Sequence, residues 1–157
     1  MSVDVLERPT LATEEEKVYV VLHVAGQTCG VRVEGVRDIL GEQAITRIPL
    51  APAEVAGSLN LRGRIVTAID LRRRLGLPPL PAGQLPMSVV AEHGTEHYAL
   101  VVDQVSEVMS MRSEDFEANP PTLDPIWASF SLGVFRLSDR LLVVLDVAKL
   151  LTLNEQG

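Results

Sequence analysis

Apolar residues along this chain occur in short runs, rich in valine and isoleucine, that polar or glycine-containing turns separate. Runs of this length and composition are typical of buried strands and are too short for helices. We predict strands at 18–24, 29–33, 45–48 and 65–69. Helix is predicted only in brief segments, chiefly 71–75 and 147–151, so the fold should be mainly β.

This pattern occurs twice along the chain, in the same internal order. Residues 63–77 (GRIVTAIDLRRRLGL) align without a gap on 139–153 (DRLLVVLDVAKLLTL), and residues 19–40 align in the same way on 88–109. Each copy contains an apolar strand, a polar turn and a second apolar strand, followed by an acidic residue and a Val-x-x-Ile/Val motif. Because such a repeat marks one structural unit used more than once, the chain should contain two equivalent modules.

Segments outside the repeat define the predicted boundaries. Residues 1–16 are polar and acidic, and we predict a flexible N-terminal arm there; residues 154–157 are a short C-terminal tail. Residues 78–86 are a proline-rich connector, which should be stiff and extended. We therefore predict a single domain at 17–153, with one module at about 17–77 and the other at about 87–153.

Composition and charge narrow the function classes. The chain has 157 residues, of which 46% are hydrophobic and only 4% aromatic, so valine, leucine and isoleucine must fill the core. A formal net charge of −7 argues against nucleic acid or an anionic membrane surface as the main partner. Cys29 is the single cysteine, which excludes an intrachain disulfide, and no signal peptide or membrane-spanning run is visible. We expect a soluble protein of the cytoplasm.

Asp70 and Asp146 occupy matching positions in the two copies. Each follows an apolar strand and precedes a short helical segment, so we predict that both are helix N-caps whose carboxylates accept hydrogen bonds from free backbone N–H groups. The alternative is a pair of catalytic carboxylates. Capping explains both residues fully, and it is therefore the favoured interpretation.

Other polar clusters do not indicate an active site. Glu92, His93 and His97 surround a predicted turn and could contact a metal, but they lack the closed spacing of a structural zinc site. The three arginines at 72–74 are interpreted as a solvated helix face. The sequence contains no phosphate-binding glycine loop and no nucleophile elbow. We expect no enzyme activity, no metal and no cofactor.

Arg62 is the place where the repeat breaks. The first copy has Arg62-Gly63 where the second has Ser138-Asp139. A long cation beside a glycine corner can lay its aliphatic stem across an apolar groove and present five N–H donors to a partner's carboxylate or carbonyl groups. The alternative interpretation is an ordinary surface arginine at the end of a strand.

The residues around Arg62 resemble the signature of a known family. Asn60-Leu61-Arg62-Gly63, followed by Ile65 and by Ile69-Asp70-Leu71-Arg72, is similar to the signature of CheW, the bacterial chemotaxis coupling protein family. The resemblance extends over about 17–153 and includes 19–39, 46–48 and 102–108. Thr67 departs from it, because the family usually has proline at this position. The signature is shared with the regulatory domain of the histidine kinase CheA and the coupling half of CheV; a free-standing adaptor fits the present length best.

The resemblance implies both a fold and a function. The fold would be two fused five-stranded β-barrels, related by the internal repeat, with short helices after the strands. The function would be that of a chemotaxis adaptor, without enzyme activity, that couples the cytoplasmic tips of chemoreceptors to CheA. Such an adaptor would be recruited to signalling arrays at the membrane.

The resemblance also implies two separate partner surfaces. The receptor-facing residues, carried over by motif, are Val36, Asp38, Ile39, Arg62 and Val105. The kinase-facing residues are expected at exposed strand ends and in the irregular segment 112–122, with the candidates Arg112, Glu117 and Thr122.

Two other functions stay open from the sequence. The chain could be the coupling protein of a receptor–kinase array that does not serve chemotaxis. It could also be a small β-barrel enzyme or ligand-binding protein, with its site in the groove between the barrels and Arg62 as an anion clamp.

Overall fold

The short apolar runs form strands in the computed structural model, which describes residues 15–152. In chain order the strands are β1 (Glu16–Val24), β2 (Gln27–Arg32), β3 (Val36–Leu40), β4 (Val55–Leu61), β5 (Arg64–Asp70), β6 (Met87–His93), β7 (Glu96–Val102), β8 (Gln104–Arg112), β9 (Ser131–Arg136) and β10 (Leu141–Leu145). The helices are α1 (Leu71–Arg74), α2 (Pro125–Ser129) and α3 (Val147–Leu151), with single 3₁₀ turns at Val33–Gly35 and Ser113–Asp115. The prediction of a mainly β protein is confirmed.

The strands make two five-stranded sheets, and each sheet takes strands from both halves of the chain. Sheet 1 has the spatial order β8-β1-β2-β10-β9, and sheet 2 has the order β3-β6-β7-β5-β4. Neighbouring strands are antiparallel except for two pairs, β2 with β10 and β5 with β7, which are parallel. In the repeat, β1 to β5 correspond in order to β6 to β10. If each strand is replaced by its counterpart, the strand order of sheet 1 becomes that of sheet 2. The two modules of the sequence are therefore structurally equivalent.

The two sheets do not coincide with the two modules predicted at 17–77 and 87–153. The chain passes from sheet 1 to sheet 2 through the turn Val33–Gly35, and it returns through Asp103 between β7 and β8. Each copy therefore gives its first hairpin to one sheet and its last three strands to the other. A repeat cannot reveal this exchange, because a strand and its counterpart offer nearly the same apolar pattern to a neighbour. Closure of the sheets into barrels stays a prediction.

Two smaller predictions also need correction. The segment 45–48 was expected to be a strand, but its pairing is a single bridge between Thr46 and Ser58. Pro49 follows directly and lacks the N–H group that a longer ladder would need. The predicted N-terminal arm ends one residue too late, because β1 begins at Glu16. The rest of that arm up to residue 14, and the predicted tail, lie outside the described residues.

One large apolar cluster joins the two sheets, and a smaller cluster lies within each. Leu22 and Val24 of β1 pack in the shared cluster together with Val89 of β6, whereas their neighbour Val21 packs in the cluster of sheet 1. Successive residues of these strands are thus buried on opposite faces, which explains why they are continuous apolar runs rather than alternating ones. Cys29 lies in the shared cluster, and burial raises the pKa of its thiol.

The helices after β5 and β10 begin in the same way. The Oδ1 atom of Asp70 accepts a hydrogen bond from the Arg73 backbone N–H at 3.3 Å, and Oδ1 of Asp146 accepts one from the Lys149 backbone N–H at 3.1 Å. These are N-cap contacts, which satisfy N–H groups that have no partner within the helix. The two carboxylates therefore cap the N-termini of separate helices and do not form one acidic pair.

Gly57 on β4 is a position in sheet 2 that should not accept a side chain. Its φ of 149° is unfavourable for other residues, and an added Cβ would overlap the backbone oxygen of Thr46. We expect Gly57→Ala to lower the free energy of unfolding by about 2–4 kcal/mol, from overpacking and backbone strain together. Chemical denaturation of the purified protein measures this change.

Gly41→Ala is the matched control for that experiment. No atom lies within 4 Å of a Cβ placed at Gly41, so its effect should stay within about 0.5 kcal/mol. Similar losses in the two variants would contradict the assignment of strain to Gly57.

Candidate partner-binding surface around Arg62

Arg62 and Gly63 form the two-residue turn between β4 and β5. Both have positive φ angles, 53° and 85°, as the type I′ hairpin turn requires. The Asn60 side chain supports the turn, because its Oδ1 atom accepts a hydrogen bond from the Gly63 N–H at 2.9 Å. Left-handed backbone is uncommon for arginine. The hairpin therefore holds Arg62 in a backbone conformation that arginine rarely adopts.

The guanidinium of Arg62 reaches across to the opposite edge of sheet 2. Its Nη1 atom donates to Oδ2 of Asp38 on β3 at 2.8 Å. Since β3 and β4 are the two edge strands of this sheet, the ion pair links the edges by side chains. The hydrogen bond from Arg62, together with one from the Ile39 backbone N–H, holds the pKa of Asp38 below its usual range.

Most of the Arg62 side chain remains accessible in this arrangement. Its side chain is 75% exposed, whereas that of Asp38 is 23% exposed. A guanidinium has five N–H donors in a planar fork, so donors remain for a partner beyond the one bonded to Asp38. Ile39 and Ile65, on the strands that carry the pair, are also exposed. The surface therefore combines a pre-oriented cation with accessible apolar side chains.

The structure brings together three of the five predicted receptor-facing residues: Asp38, Ile39 and Arg62. Val36 lies on the same strand, but it packs against the shared core. Val105 is its counterpart in the repeat and lies on β8 of sheet 1, where it also packs against that core. Its backbone N–H points to Sδ of Met87 at 3.3 Å. Both valines are half-buried and lie just after the points where the chain changes sheets.

Two of the three predicted kinase-facing residues lie at sheet 1. Arg112 ends β8 and forms an ion pair with Glu114. Glu117 pairs with Val134 through one bridge, and its Oε1 atom accepts a hydrogen bond from Nε of Arg136 at 3.0 Å. Thr122 is exposed in a turn. Arg112 and Glu117 therefore lie at the sheet that does not carry Arg62.

The interpretation of the arginines at 72–74 as a solvated face is wrong for two of the three. Arg72 makes two hydrogen bonds to the carboxylate of Asp103, from Nε at 2.8 Å and from Nη2 at 2.7 Å. Arg74 donates to the backbone oxygens of Lys149, Leu150 and Thr152 at 2.9–3.0 Å and so caps the end of α3. Arg73 alone is well exposed. A run of like charges in the sequence does not indicate which acceptor groups its members will contact. The one sequence signal for the Arg72–Asp103 pair is that both residues occur in segments that resemble the family.

The side chains considered as metal ligands have other contacts. Glu92 forms an ion pair with Arg37, and Nδ1 of His97 lies 3.3 Å from Nη1 of Arg64. Within residues 15–152, no group of three or more histidine, cysteine or acidic side chains is arranged to hold a metal ion. In the same part of the chain, no helix has the length and hydropathy needed to cross a membrane.

Residues 18–155 match the family model described as the CheW-like domain. The chain belongs to this family. The chemotaxis protein CheW of Treponema pallidum is 29% identical over 151 residues, which cover 94% of this chain and 89% of the relative. CheW of Klebsiella aerogenes is 28% identical over 139 residues, which cover 88% of this chain and 84% of the relative.

A solved structure supports the same relationship. The scaffolding protein TtCheW from Thermoanaerobacter tengcongensis superposes with a TM-score of 0.77 at 28% sequence identity, covering 88% of this chain and 94% of that one. The family resemblance inferred from the Arg62 segment is therefore confirmed. The CheW family is one of chemotaxis coupling and scaffold proteins.

The pKa of Asp38 should report directly on the Arg62 contact. We expect the carboxyl carbon of Asp38, followed by NMR during acid titration, to change below the ordinary aspartate value of about 3.9. Because Arg62 is the main cause of the lowered pKa, Arg62→Ala should move the midpoint upward towards that value. Any stability that the pair contributes is present above the unfolded pKa and is lost as the pH falls through the folded one.

Asp103 supplies an internal control for the titration. Burial raises its pKa, but hydrogen bonds from Arg72 and from the Ala25 N–H outweigh burial and hold the pKa low. Arg62→Ala should leave the Asp103 midpoint unchanged. An Asp38 midpoint that does not move in this variant would show that the pair does not form in solution.

Proposed function

We propose that this CheW-like chain is an adaptor without enzyme activity that couples the cytoplasmic tips of chemoreceptors to the histidine kinase CheA within a signalling array. Membership of a family of chemotaxis coupling and scaffold proteins supports the proposal. The observation that carries it is the exposed guanidinium of Arg62, held in a strained turn and oriented by Asp38. The chain would therefore act in the cytoplasm, at membrane-associated arrays.

The receptor surface in this proposal is centred on the Arg62–Asp38 pair. The ion pair leaves the guanidinium largely exposed but restricts its side-chain freedom, so the Arg62 side chain loses less conformational entropy when a partner binds. Ile39 and Ile65 provide apolar area on the same sheet. A receptor tip that presents a carboxylate or backbone carbonyl groups beside an apolar residue would fit this combination. Val36 on β3 and Val105 on β8 are half-buried, so part of each side chain is accessible to the receptor as a second element of this surface.

The kinase surface in this proposal lies beside sheet 1, around Arg112, Glu117 and Thr122. Arg112 and Glu117 hold exposed ion pairs with Glu114 and Arg136, respectively. Because exposed pairs contribute little to stability, a partner can replace them at little cost. Their charges can therefore select a partner and steer its approach. Placement of receptor and kinase sites beside different sheets would let both partners bind at once.

Arg62→Ala should weaken binding of a receptor cytoplasmic fragment by about 1.5–3 kcal/mol, roughly ten- to a hundredfold, which is the range for a hydrogen bond to a charged group. Arg62→Lys should recover only part of the loss, because an ammonium group lacks the planar fork. The fold should persist, since the side chain is exposed. Isothermal titration calorimetry with the receptor fragment measures the change.

Arg64→Ala is the matched control, because Arg64 is exposed and lies on the same hairpin, two residues from Arg62. It should bind the receptor fragment as the parent protein does. A second titration with the CheA regulatory domain should show that Arg62→Ala leaves kinase binding largely unchanged. Equal losses with both partners, or tight binding of a small anion in place of the receptor fragment, would contradict the proposal.

Arg112→Glu tests the kinase surface by reversing one exposed charge. We expect affinity for the CheA regulatory domain to fall about tenfold, mainly through slower association, as for charges at the rim of an interface. The loss should shrink as salt is added, because screening removes the charge effect. Stopped-flow association at two salt concentrations measures both properties. Unchanged kinase association together with weaker receptor binding would place this residue on the wrong surface.

A further inference from the structure

The ion pair between Arg72 and Asp103 differs from the exposed pairs of this protein. Its two side chains are only 13% and 16% exposed, and both Nε and Nη2 of Arg72 contact the carboxylate. Removing two charges from water costs free energy that their attraction need not recover. Stability alone is therefore a weak explanation for this pair, whereas fixing one arrangement of the parts it joins is a role that buried pairs can have.

The pair joins elements from both sheets at a point where the chain crosses between them. Asp103 is the single residue between β7 of sheet 2 and β8 of sheet 1. Its N–H donates to the His23 carbonyl at 3.1 Å, and its Oδ2 accepts from the Ala25 N–H at 2.8 Å, so it is bound to the first hairpin of sheet 1. Arg72 belongs to α1, which follows β5 of sheet 2, and its Nη1 donates to the Pro78 carbonyl at 2.8 Å.

The pair joins the two copies, with Arg72 in the first and Asp103 in the second, and the equivalent position at the other crossing has no such pair. The counterpart of Arg72 is Ala148, and the counterpart of Asp103 is Glu34, which pairs with the exposed Arg32 instead. The crossing through Val33–Gly35 is thus made without a buried ion pair. Because one crossing forms without it, the fold does not require the pair as such. Its presence at one crossing only suggests a role specific to that side of the molecule.

The side that carries the pair leads directly to the proposed receptor surface. The turn with Arg62 continues into β5, and β5 continues into α1 with Arg72. Across the pair, Asp103 precedes β8, which carries Val105. β5 therefore connects the Arg62 turn at its start to Arg72 just beyond its end, and Asp103 lies two residues before Val105, with the ion pair as the connection between these segments.

We propose that Arg72 and Asp103 are positioning residues, which fix β8 of sheet 1 relative to β5 and α1 of sheet 2. They thereby hold the two parts of the receptor surface in one arrangement. The link to receptor binding rests on the function proposed above, whereas the effect on the two sheets does not. Without the pair, the sheets would sample several relative positions, and only a fraction of the molecules would be competent to bind.

Electron paramagnetic resonance distance measurements test the proposal in the free protein. Ile65→Cys on β5 and Leu132→Cys on β9 place one spin label on each sheet, at strand positions that are 67% and 56% exposed. Cys29 is fully buried and should not react in the folded protein. The parent should give one narrow distance distribution. Arg72→Gln should broaden or shift it, while Arg73→Gln, the exposed neighbour, should leave it unchanged.

A double variant separates positioning from stability. Arg72→Gln alone leaves a buried charge on Asp103 and should lower the melting temperature, whereas Arg72→Gln with Asp103→Asn removes both charges and should recover much of it. The distance distribution of the double variant should nevertheless remain broad. A narrow, parent-like distribution in Arg72→Gln, or its return together with stability in the double variant, would overturn the proposal.

Receptor titration of Arg72→Gln and the double variant, without the labelling cysteines, completes the test. If about one molecule in five holds the competent arrangement, the apparent affinity falls about fivefold in Arg72→Gln and in the double variant. Arg73→Gln should bind as the parent does. Parent-like affinity in the double variant would overturn the link to the receptor surface. Failure of the parent itself to bind would refute the proposed function, while the distance measurements would still decide whether the pair positions the sheets.

Discussion

Two parallel strand pairings hold this molecule together, β2 with β10 and β5 with β7. Each joins a hairpin strand from one copy of the repeat to a terminal strand from the other copy. Two antiparallel pairings, β1 with β8 and β3 with β6, also join the copies, so neither half of the chain can complete a sheet alone. The continuous backbone hydrogen bonds make the halves one folding unit, although the sequence reads as two modules in succession.

Burial of both strand faces follows from this exchange. Each sheet packs one face on the cluster that joins the sheets and the other on its own smaller cluster. Adjacent residues such as Val21 and Leu22 are accordingly both buried. Branched aliphatic side chains suit such strands because they fill both faces of a pleated sheet without polar groups. The low aromatic content and the abundance of valine are consequences of this arrangement.

The arginines of the first copy show how burial divides similar residues into different roles. The Arg62–Asp38 pair is exposed on one side, contributes little to stability, and leaves donors for a partner. Arg72 is almost enclosed and uses its fork on Asp103 and a connector carbonyl. Arg74 satisfies the last carbonyl groups of α3 and lies 4.8 Å from the Phe130 ring. All three have counterparts without a positive charge in the second copy, so these arginines distinguish the two halves of the molecule.

Local features of this protein were determined by the sequence itself. The strands 18–24 and 65–69, the caps at Asp70 and Asp146, and the glycine turn after Arg62 depend on neighbouring residues, which act through backbone preference and short-range hydrogen bonds. Only the tertiary structure decided which copy supplies each strand, that Arg62 meets Asp38, and that Arg72 is buried against Asp103. These contacts join residues far apart in the chain, and the repeat offers two nearly equal partners for every strand. Local pattern cannot distinguish between such partners, because the choice depends on how the turns at Val33–Gly35 and Asp103 direct the chain between the sheets.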